Sequence, residues 1–577
     1  MKIINKYNDY ILIVLCIILI SILGLWNLPQ MHSIGIVPDE FGYWSSAAFF
    51  SGYDWSTGMT VTPYYGYFYG IVLMPIFNIF IEDSVNMFRA AIILNAVLLD
   101  ICFLCTYSFF QRLSNDKEHS KRYIIAALFI TLYPAYLLFV RVTLSEIILL
   151  LISWIVVLEF EKYIEKRNVR NLVSMCILAI IGYFCHQRFL VVIIAILLTI
   201  FLLHIIKNGL DKKNFIQLVF VVLAILVVFV LGTFGKSWYK NVAYIQASSV
   251  IKSTNDYGSV INKILSLLSV SGICDLLLSL SGKLFYTGVA TWGIAYVGIF
   301  LIVEYLYKCI KDKRIDNQLY IYIFLLFAFV GSILLSAIMM KNKPDVGERF
   351  DTLIYGRYTE NLYGPLLVIA LICLFKDYKK FLRLELYAFL LECLLLIIIL
   401  GNMIENPSYA VQWLSCSAIN EFFYNKDYGM DSAFCMLVLR NGICIVLLVF
   451  GTFVKKQTEL YYQLALVVVG TCFFIYSSVY TVDNVYFSFQ EKVYQENQVL
   501  VESIRDENKE DKIYSISETK YITALQFVMP QMYIKHVDNI EEIPTNEILV
   551  TSSSYTGGKQ LVLITEGEYL KLWKCIK

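Results

Sequence analysis

Val37-Pro38-Asp39-Glu40-Phe41-Gly42-Tyr43-Trp44 comes shortly after the first long apolar run, residues 10–28. Two adjacent carboxylates stand there at the mouth of a candidate membrane helix. They open an aromatic-rich stretch that holds no Lys or Arg before Arg89. Ionised side chains beside a bilayer are costly and are retained for chemistry or transport. The pair therefore marks the run before it as a first membrane span and the segment after it as a site on the far side.

The rest of the composition agrees. The 577 residues are 58% hydrophobic and only 16% charged, with mean hydropathy +0.66. A soluble protein carries about 25% charged residues. Apolar runs of about 20 residues, long enough for a bilayer core, recur through the first four fifths of the chain. A net charge of +1 and a pI near 7.4 argue against nucleic acid as a partner. Residues 1–26 have a short basic start, Lys2 and Lys6, and no small-residue cleavage pattern, which reads as an uncleaved first helix.

Hydropathy gives about 13 spans: 10–28, 87–110, 123–140, 144–163, 172–185, 189–206, 215–234, 286–307, 319–340, 362–375, 384–404, 437–454 and 460–482. With the N-terminus in the cytoplasm, the inner connections collect the Lys and Arg, such as Arg112/Lys121/Arg122, Lys162/Lys166/Arg167/Arg170 and Lys308/Lys311/Lys313/Arg314. That is the expected bias, and an odd number of spans puts the C-terminus outside. The fold class is thus mainly α, a polytopic helical bundle in a cell membrane.

Three outer segments are too long for turns: 29–85, 235–285 and 341–364. In the second, Val260, Ile264, Leu267 and Leu268 recur at helical spacing, as expected of helices lying along the membrane surface. From residue 483 to 577 the composition becomes that of a soluble domain, outside the membrane. A polar helix over 486–508, strands over 513–516, 533–537, 548–551 and 561–564, and a helix over 520–528 give a small α/β fold. The division is 1–482 for the membrane domain and 483–577 for the C-terminal one.

The 14 cysteines lie mostly in apolar runs. Cys102 and Cys105 have metal-site spacing but sit inside a span and read as packing. Cys416 and Cys435 are the outer candidates for a disulfide. His32, His119, His186, His204 and His536 are scattered and form no metal motif, and no phosphate-binding Gly-rich loop occurs. Neighbouring residues point in different directions, so one of Asp39 and Glu40 aims into a cavity. A carboxylate there can take a proton from a hydroxyl or bind a divalent cation, magnesium or manganese. The aromatics Phe41, Tyr43, Trp44, Trp55, Tyr64, Tyr65 and Tyr67 suit the apolar face of a sugar ring as well as a membrane interface.

One cytoplasmic start, one helix, then an outer loop opening with Pro38-Asp39-Glu40 and Tyr43 resembles the GT-C superfamily of membrane glycosyltransferases. The branch it is most similar to holds the protein O-mannosyltransferases and the lipid A aminoarabinose transferase. The resemblance covers the plan of the first 480 or so residues. It implies a polyprenyl phosphate or pyrophosphate sugar as donor, and transfer on the outer face to a glycan, lipid or protein hydroxyl. It further implies Asp39 as the general base with Glu40 as the neighbouring acid, and from their aromatic faces Tyr43, Trp44, Tyr64 and Tyr65 are the residues expected against sugar or acceptor. The segment Arg141-Val142-Thr143-Leu144-Ser145-Glu146 is similar to one common in such enzymes and is either part of the site or an ion pair at a helix end. Tyr355-Gly356-Arg357-Tyr358, followed by Pro365, resembles the Arg-Tyr segment before a late span. Arg357, with Arg188, Lys341 and Lys343, is the candidate phosphate-binding set, because a guanidinium offers paired contacts to phosphate oxygens.

Two other classes stay open. A transporter or flippase of a lipid-linked or envelope precursor would explain the many helices, but internal repeats and mid-membrane helix breaks are expected of it and the sequence shows neither clearly. A scaffold that presents the C-terminal domain would leave the acidic first loop without a role.

Overall fold

The computed structural model describes residues 2–36, 38–114, 120–208, 212–244, 260–340, 350–403, 412–424, 430–507, 511–516 and 519–576. Helix α1 (Lys2–Gly24) leads into a first loop that is itself folded into α2 (Asp39–Phe50), α3 (Ser56–Met59) and α4 (Phe68–Ile79). There follow α5 (Ser84–Ser114), α6 (Ser120–Thr131), α7 (Pro134–Val140), α8 (Glu146–Lys166), α9 (Val169–Cys185), α10 (Leu190–Asn208) and α11 (Lys212–Ala243). The second half holds α12 (Val260–Leu265), α13 (Val270–Ala290), α14 (Ile294–Lys311), α15 (Asn317–Met339) and α16 (Tyr363–Lys376). It continues with α17 (Tyr378–Met403), α18 (Asn420–Phe423), α19 (Met430–Gly451) and α20 (Glu459–Thr481).

The chain is a multi-pass membrane protein. Among the described residues, seven helices are long and apolar enough to cross a bilayer, or eight if the bent pair α6 and α7 counts as one. The 13 expected runs lie largely on helices, but several are shorter than a bilayer asks: α9 has 17 residues and α16 has 14. Helix α8 is buried along nearly its whole length, which makes it the centre of the bundle.

Two runs expected to be continuous are broken. The first break lies at Pro134. Lacking an N–H, this proline forces the residue before it out of the helical region, and Tyr133 is extended at ψ 131°. Helices α6 and α7 consequently meet at 64°. The second break lies between α13 and α14, where Trp292 and Gly293 take φ of 56° and 82°. The Gly293 N–H bonds back to the Gly288 carbonyl at 2.9 Å and closes α13. Helix α13 also starts much earlier than the expected span, and α11 runs on to Ala243, so helices take up much of the described part of 235–285.

Helix α20 passes through a π-helical turn, Val482–Tyr486, into the polar helix α21 (Phe487–Glu507). The C-terminal domain then holds β1 (Lys512–Ser515), α22 (Tyr521–Val528), β2 (Tyr533–His536), β3 (Ile548–Ser552), β4 (Leu561–Glu566) and β5 (Leu570–Cys575). Strand order is β2-β1-β3-β5-β4, with β1 parallel to β2 and β3 and β5 antiparallel to β3 and β4. Leu500, Val501 and Ile504 of α21 and Ile522 and Leu525 of α22 pack on Ile513, Ile534, Ile548, Val550 and Leu572 of the sheet. The expected strands are present, and β5 is added to them.

This domain sits on the first loop. The Trp55 indole N–H donates to the Pro530 carbonyl at 2.9 Å, and the Thr57 hydroxyl donates to that of Ile534 at 2.5 Å. Phe527 packs edge-on against Trp44, with ring centres 5.4 Å apart. Cys416 and Cys435 are both free thiols, one buried and one exposed, so no disulfide joins them.

Candidate active site

Four stretches distant in sequence meet beside the first turn of α2. They are Asp39 itself, the start of α8, the short α9–α10 junction, and the segment before α16. Successive residues on a helix differ by about 100°, so Asp39 and Glu40 point apart and meet different surroundings.

Asp39 keeps about a fifth of its side chain exposed. Its Oδ1 accepts from the Tyr65 hydroxyl at 2.7 Å, and its Oδ2 lies 3.5 Å from Arg357 Nη1. Glu40 is fully buried. Its Oε2 accepts the Gly35 and Ile36 N–H groups, each at 2.7 Å, and its Oε1 accepts the Thr143 N–H at 2.6 Å and hydroxyl at 2.8 Å. Burial pushes the Glu40 carboxyl above its ordinary range, and the bonds from Thr143, Ile36 and Gly35 pull against that shift. With four donors on two oxygens, Glu40 is a clamp between the approach to α2 and the α7–α8 junction.

Glu146, the first residue of α8, is the hub of the cationic side. Its Oε1 takes the Arg357 Nε–H at 2.5 Å and the Arg188 Nη2–H at 3.2 Å. Arg188 stacks over the Tyr358 ring at 5.1 Å, and its Nε and Nη1 have no hydrogen-bond partner among the described residues. Beside it, His186 Nδ1 accepts the Arg188 backbone N–H at 3.2 Å, and its ring lies 5.9 Å from those of Tyr65 and Tyr358. Burial first, then Arg188 and Arg357, hold the imidazole well below its ordinary pKa. His186 is thus neutral, and the positive charge resides in the two guanidiniums. They are matched by the carboxylates of Asp39 and Glu146. The unpaired N–H groups of Arg188, themselves buried, are the donors left for an anion, and the exposed edge of Asp39 can take a proton.

The remaining sequence candidates divide. Tyr65 and Tyr358 touch the cluster directly, and Tyr43 supports it through a 2.8 Å bond between its hydroxyl and that of Ser145, the residue before Glu146. Trp44 is fully buried, donates to Thr143 Oγ1 at 2.9 Å and packs on Phe527 of the C-terminal domain, a core position away from the exposed edge of Asp39. Tyr64 is buried among Tyr239 and Tyr244, with Lys236 and Lys240 over its ring, a different neighbourhood from that of Asp39. Arg141 is also structural. Its guanidinium satisfies the carbonyls of Trp26 at 2.6 Å and Leu23 at 2.8 Å, beyond and within the last turn of α1, where helix carbonyls lack partners. Lys341 and Lys343 lie outside the described residues.

The whole fold has solved counterparts. The chain superposes on the crystal structure of ArnT from Cupriavidus metallidurans in the apo state with TM-score 0.51 and 12% identity, covering 99% of this chain and 98% of that one. Against the same enzyme bound to undecaprenyl phosphate the TM-score is 0.52, at 12% identity and 97% coverage of each chain. The chain has the GT-C fold. By sequence alone, no protein-family model matches it, and neither does any curated protein.

Within this fold, the acidic pair does not suit a divalent cation. Both Glu40 oxygens are filled by N–H and O–H donors, and Asp39 faces a guanidinium, which leaves one partly occupied carboxylate where such ions take about six or more oxygens. Among the described residues, no three His, Cys, Asp or Glu side chains come together as a metal site. Glu40 is accordingly withdrawn as a metal ligand.

Sequence reasoning missed Glu360, three residues after Arg357. It is fully buried; the Tyr286 hydroxyl donates to its Oε1, and its own carbonyl accepts from Tyr136 at 2.7 Å. Burial raises its pKa to about 8, against the pull of Tyr286 and Arg188. The available signal was a carboxylate next to a Tyr- and Thr-rich stretch just before a buried helix.

Proposed function

We propose that this protein transfers a sugar, hexose or pentose, from a polyprenyl phosphate or pyrophosphate donor to an acceptor hydroxyl of a glycan, lipid or protein. The observation that carries the proposal is the meeting of a partly exposed Asp39 with Arg357 and the buried, unpaired N–H groups of Arg188. A fold neighbour that holds undecaprenyl phosphate supports the choice of donor class.

Asp39 accepts the proton of the acceptor hydroxyl as its oxygen attacks the anomeric carbon. The bond from that carbon to the phosphate oxygen breaks on the opposite face, which makes the reaction an inverting single displacement. Negative charge grows on the departing lipid phosphate, and Arg188 and Arg357 stabilise it more in the transition state than before it. Tyr65 orients Asp39 through its 2.7 Å bond, and Glu146 fixes both guanidiniums. Glu40 acts as a positioning residue. The site and the C-terminal domain share the first loop, so in this reading both face away from the cytoplasm, with the N-terminus inside.

The test is transfer from an undecaprenyl-phosphate-linked sugar by purified Asp39→Asn protein with an unchanged melting temperature. A general base contributes about 10²–10⁴-fold, and turnover is expected to fall by that factor. Wild-type turnover in this variant would overturn the assignment.

A further inference from the structure

A second cavity opens at the other end of α2. It measures about 290 Å³ and lies between the C-terminal end of α2, the start of α3 and the end of α11. Its polar lining includes Ser45, Asp54 and Ser56, and its apolar side includes Phe49, Tyr53 and Val242. Gly52, at φ 89°, closes α2 here, and no described residue comes within 4 Å of where its Cβ would be.

Asp54 and Ser56 keep unused hydrogen-bonding atoms, whereas the buried Ser45 hydroxyl donates to the Gly42 carbonyl at 3.0 Å. Asp54 Oδ1 accepts the Ser56 N–H at 2.9 Å, which starts α3, while Oδ2 has no hydrogen-bond partner among the described residues. The hydroxyls of Tyr53 and Ser56 also make no hydrogen bond there. The aromatic walls are fixed in place: Tyr53 packs edge-on against Phe77 at 5.6 Å, and Phe49 against Trp238 and Tyr239 at 5.5 and 5.2 Å. A carboxylate and hydroxyls opposite aromatic faces match a ring that has C–H groups on its faces and O–H groups around its edge. Among the described residues, no Lys or Arg lines the cavity and Asp54 is its one charge, so phosphate and carboxylate groups are repelled.

We propose that this cavity is a subsite for an uncharged or amino-bearing carbohydrate, the part of the acceptor glycan that lies beyond the reacting hydroxyl. The proposal rests on the transfer reading above. Ser45 follows Asp39 by six residues, roughly 9 Å along α2 and about 120° around it, so a short oligosaccharide joining the two would pass around the helix rather than straight along it. Acidic polymers, phosphorylated glycans and peptides are disfavoured as acceptors.

The experiment probes full-length protein in detergent with an array of neutral, amino, N-acetylated and acidic oligosaccharides, plus short peptides. Wild type is expected to retain neutral or amino glycans. Asp54→Asn keeps the Oδ1 acceptor that starts α3, and it and Tyr53→Phe are each expected to weaken retention about tenfold or more, as loss of a hydrogen bond to a charged or buried group does. In both variants the melting temperature should match wild type. Asp39→Asn is expected to retain the same glycans while losing transfer. Retention of no glycan by wild type, equal retention by the Asp54 and Tyr53 variants, or preference for acidic glycans or peptides overturns the subsite. Wild-type glycan retention without any transfer from the lipid-linked donor overturns the transferase reading instead, so the two failures are told apart.

Discussion

Replacing Glu146 by Gln tests how the cationic side of the site is held. In the native protein two guanidiniums, both almost fully buried, share one Glu146 oxygen at 2.5 and 3.2 Å. Gln keeps the shape and one acceptor oxygen but removes the charge, and Arg357 and Arg188 are left with Asp39, 3.5 Å from Arg357, as their nearest anion. Removing one partner of a buried ion pair costs about 3–5 kcal/mol, because the other charge stays buried and uncompensated. Each kcal/mol moves Tm by about 2–4 °C in chains of 150–250 residues, and by less in a longer chain. A drop of a few degrees to about ten is expected for the ligand-free variant in detergent. On the proposed function, undecaprenyl phosphate would bring a negative group to the same guanidiniums and, by binding the folded state, would restore stability by mass action. The rise in Tm on adding this lipid should therefore be larger for Glu146→Gln than for wild type. An unchanged ligand-free Tm, or a lipid-induced rise no larger than in wild type, would refute the reasoning.

Arg357→Lys keeps the charge but loses the planar fork that now reaches Glu146 and Asp39 together, so transfer should fall at least about tenfold at saturating donor; full turnover would remove Arg357 from the site. Glu360 gives a pH signature. Its folded pKa of about 8 lies above its ordinary 4.5, so its contribution to stability is complete below about 4.5 and is lost as pH rises towards 8. Glu360→Gln does not titrate, and the Tm of this variant relative to wild type should rise across that window; a gap independent of pH would count against the buried acid.

The first-loop acid was legible because charge next to a long apolar run is rare, Arg188 because it stands in a short polar gap between two runs, and Arg357 because it lies in the long segment 341–364 just before a late run. The division of labour inside the loop was not. Trp44 looks like a sugar platform in sequence, yet its surroundings are set by Phe527, far along the chain in the C-terminal domain, and long-range packing of that kind leaves no local pattern. Arg141 was ambiguous for a similar reason, since its partners are backbone carbonyls, which every residue has. The start of α13 was hidden by Asp275, Lys283 and several serines and glycines. In the fold these polar groups find partners: Lys283 donates to Ser279 at 2.8 Å and to the Thr352 carbonyl at 2.6 Å. Strand β5 follows β4 closely, and its burial does not alternate: Leu570, Leu572, Trp573 and Cys575 are buried around the half-buried Lys571 and Lys574, so the local sequence offers no period-two signal.

The adjacent acids of the first loop acquire distinct roles from helix geometry alone. A rotation of about 100° between neighbours sends one carboxylate to the solvent-facing edge and the other into the core. A buried carboxylate is tolerable only when its oxygens are satisfied, and Glu40 meets that condition by gathering Gly35, Ile36 and Thr143. Thr143 lies three residues before Glu146, and Ser145 between them bonds Tyr43, one turn after Asp39. The same contacts that stabilise Glu40 therefore set the distance from the first turn of α2 to the first turn of α8. Asp39 rides on one of these turns, and Arg357 and Arg188 are fastened to the other through Glu146. The spacing between Asp39 and the two guanidiniums is thus fixed by a buried network. On the proposed mechanism, a residue within that network governs turnover while Asp39 and the cations stay chemically intact.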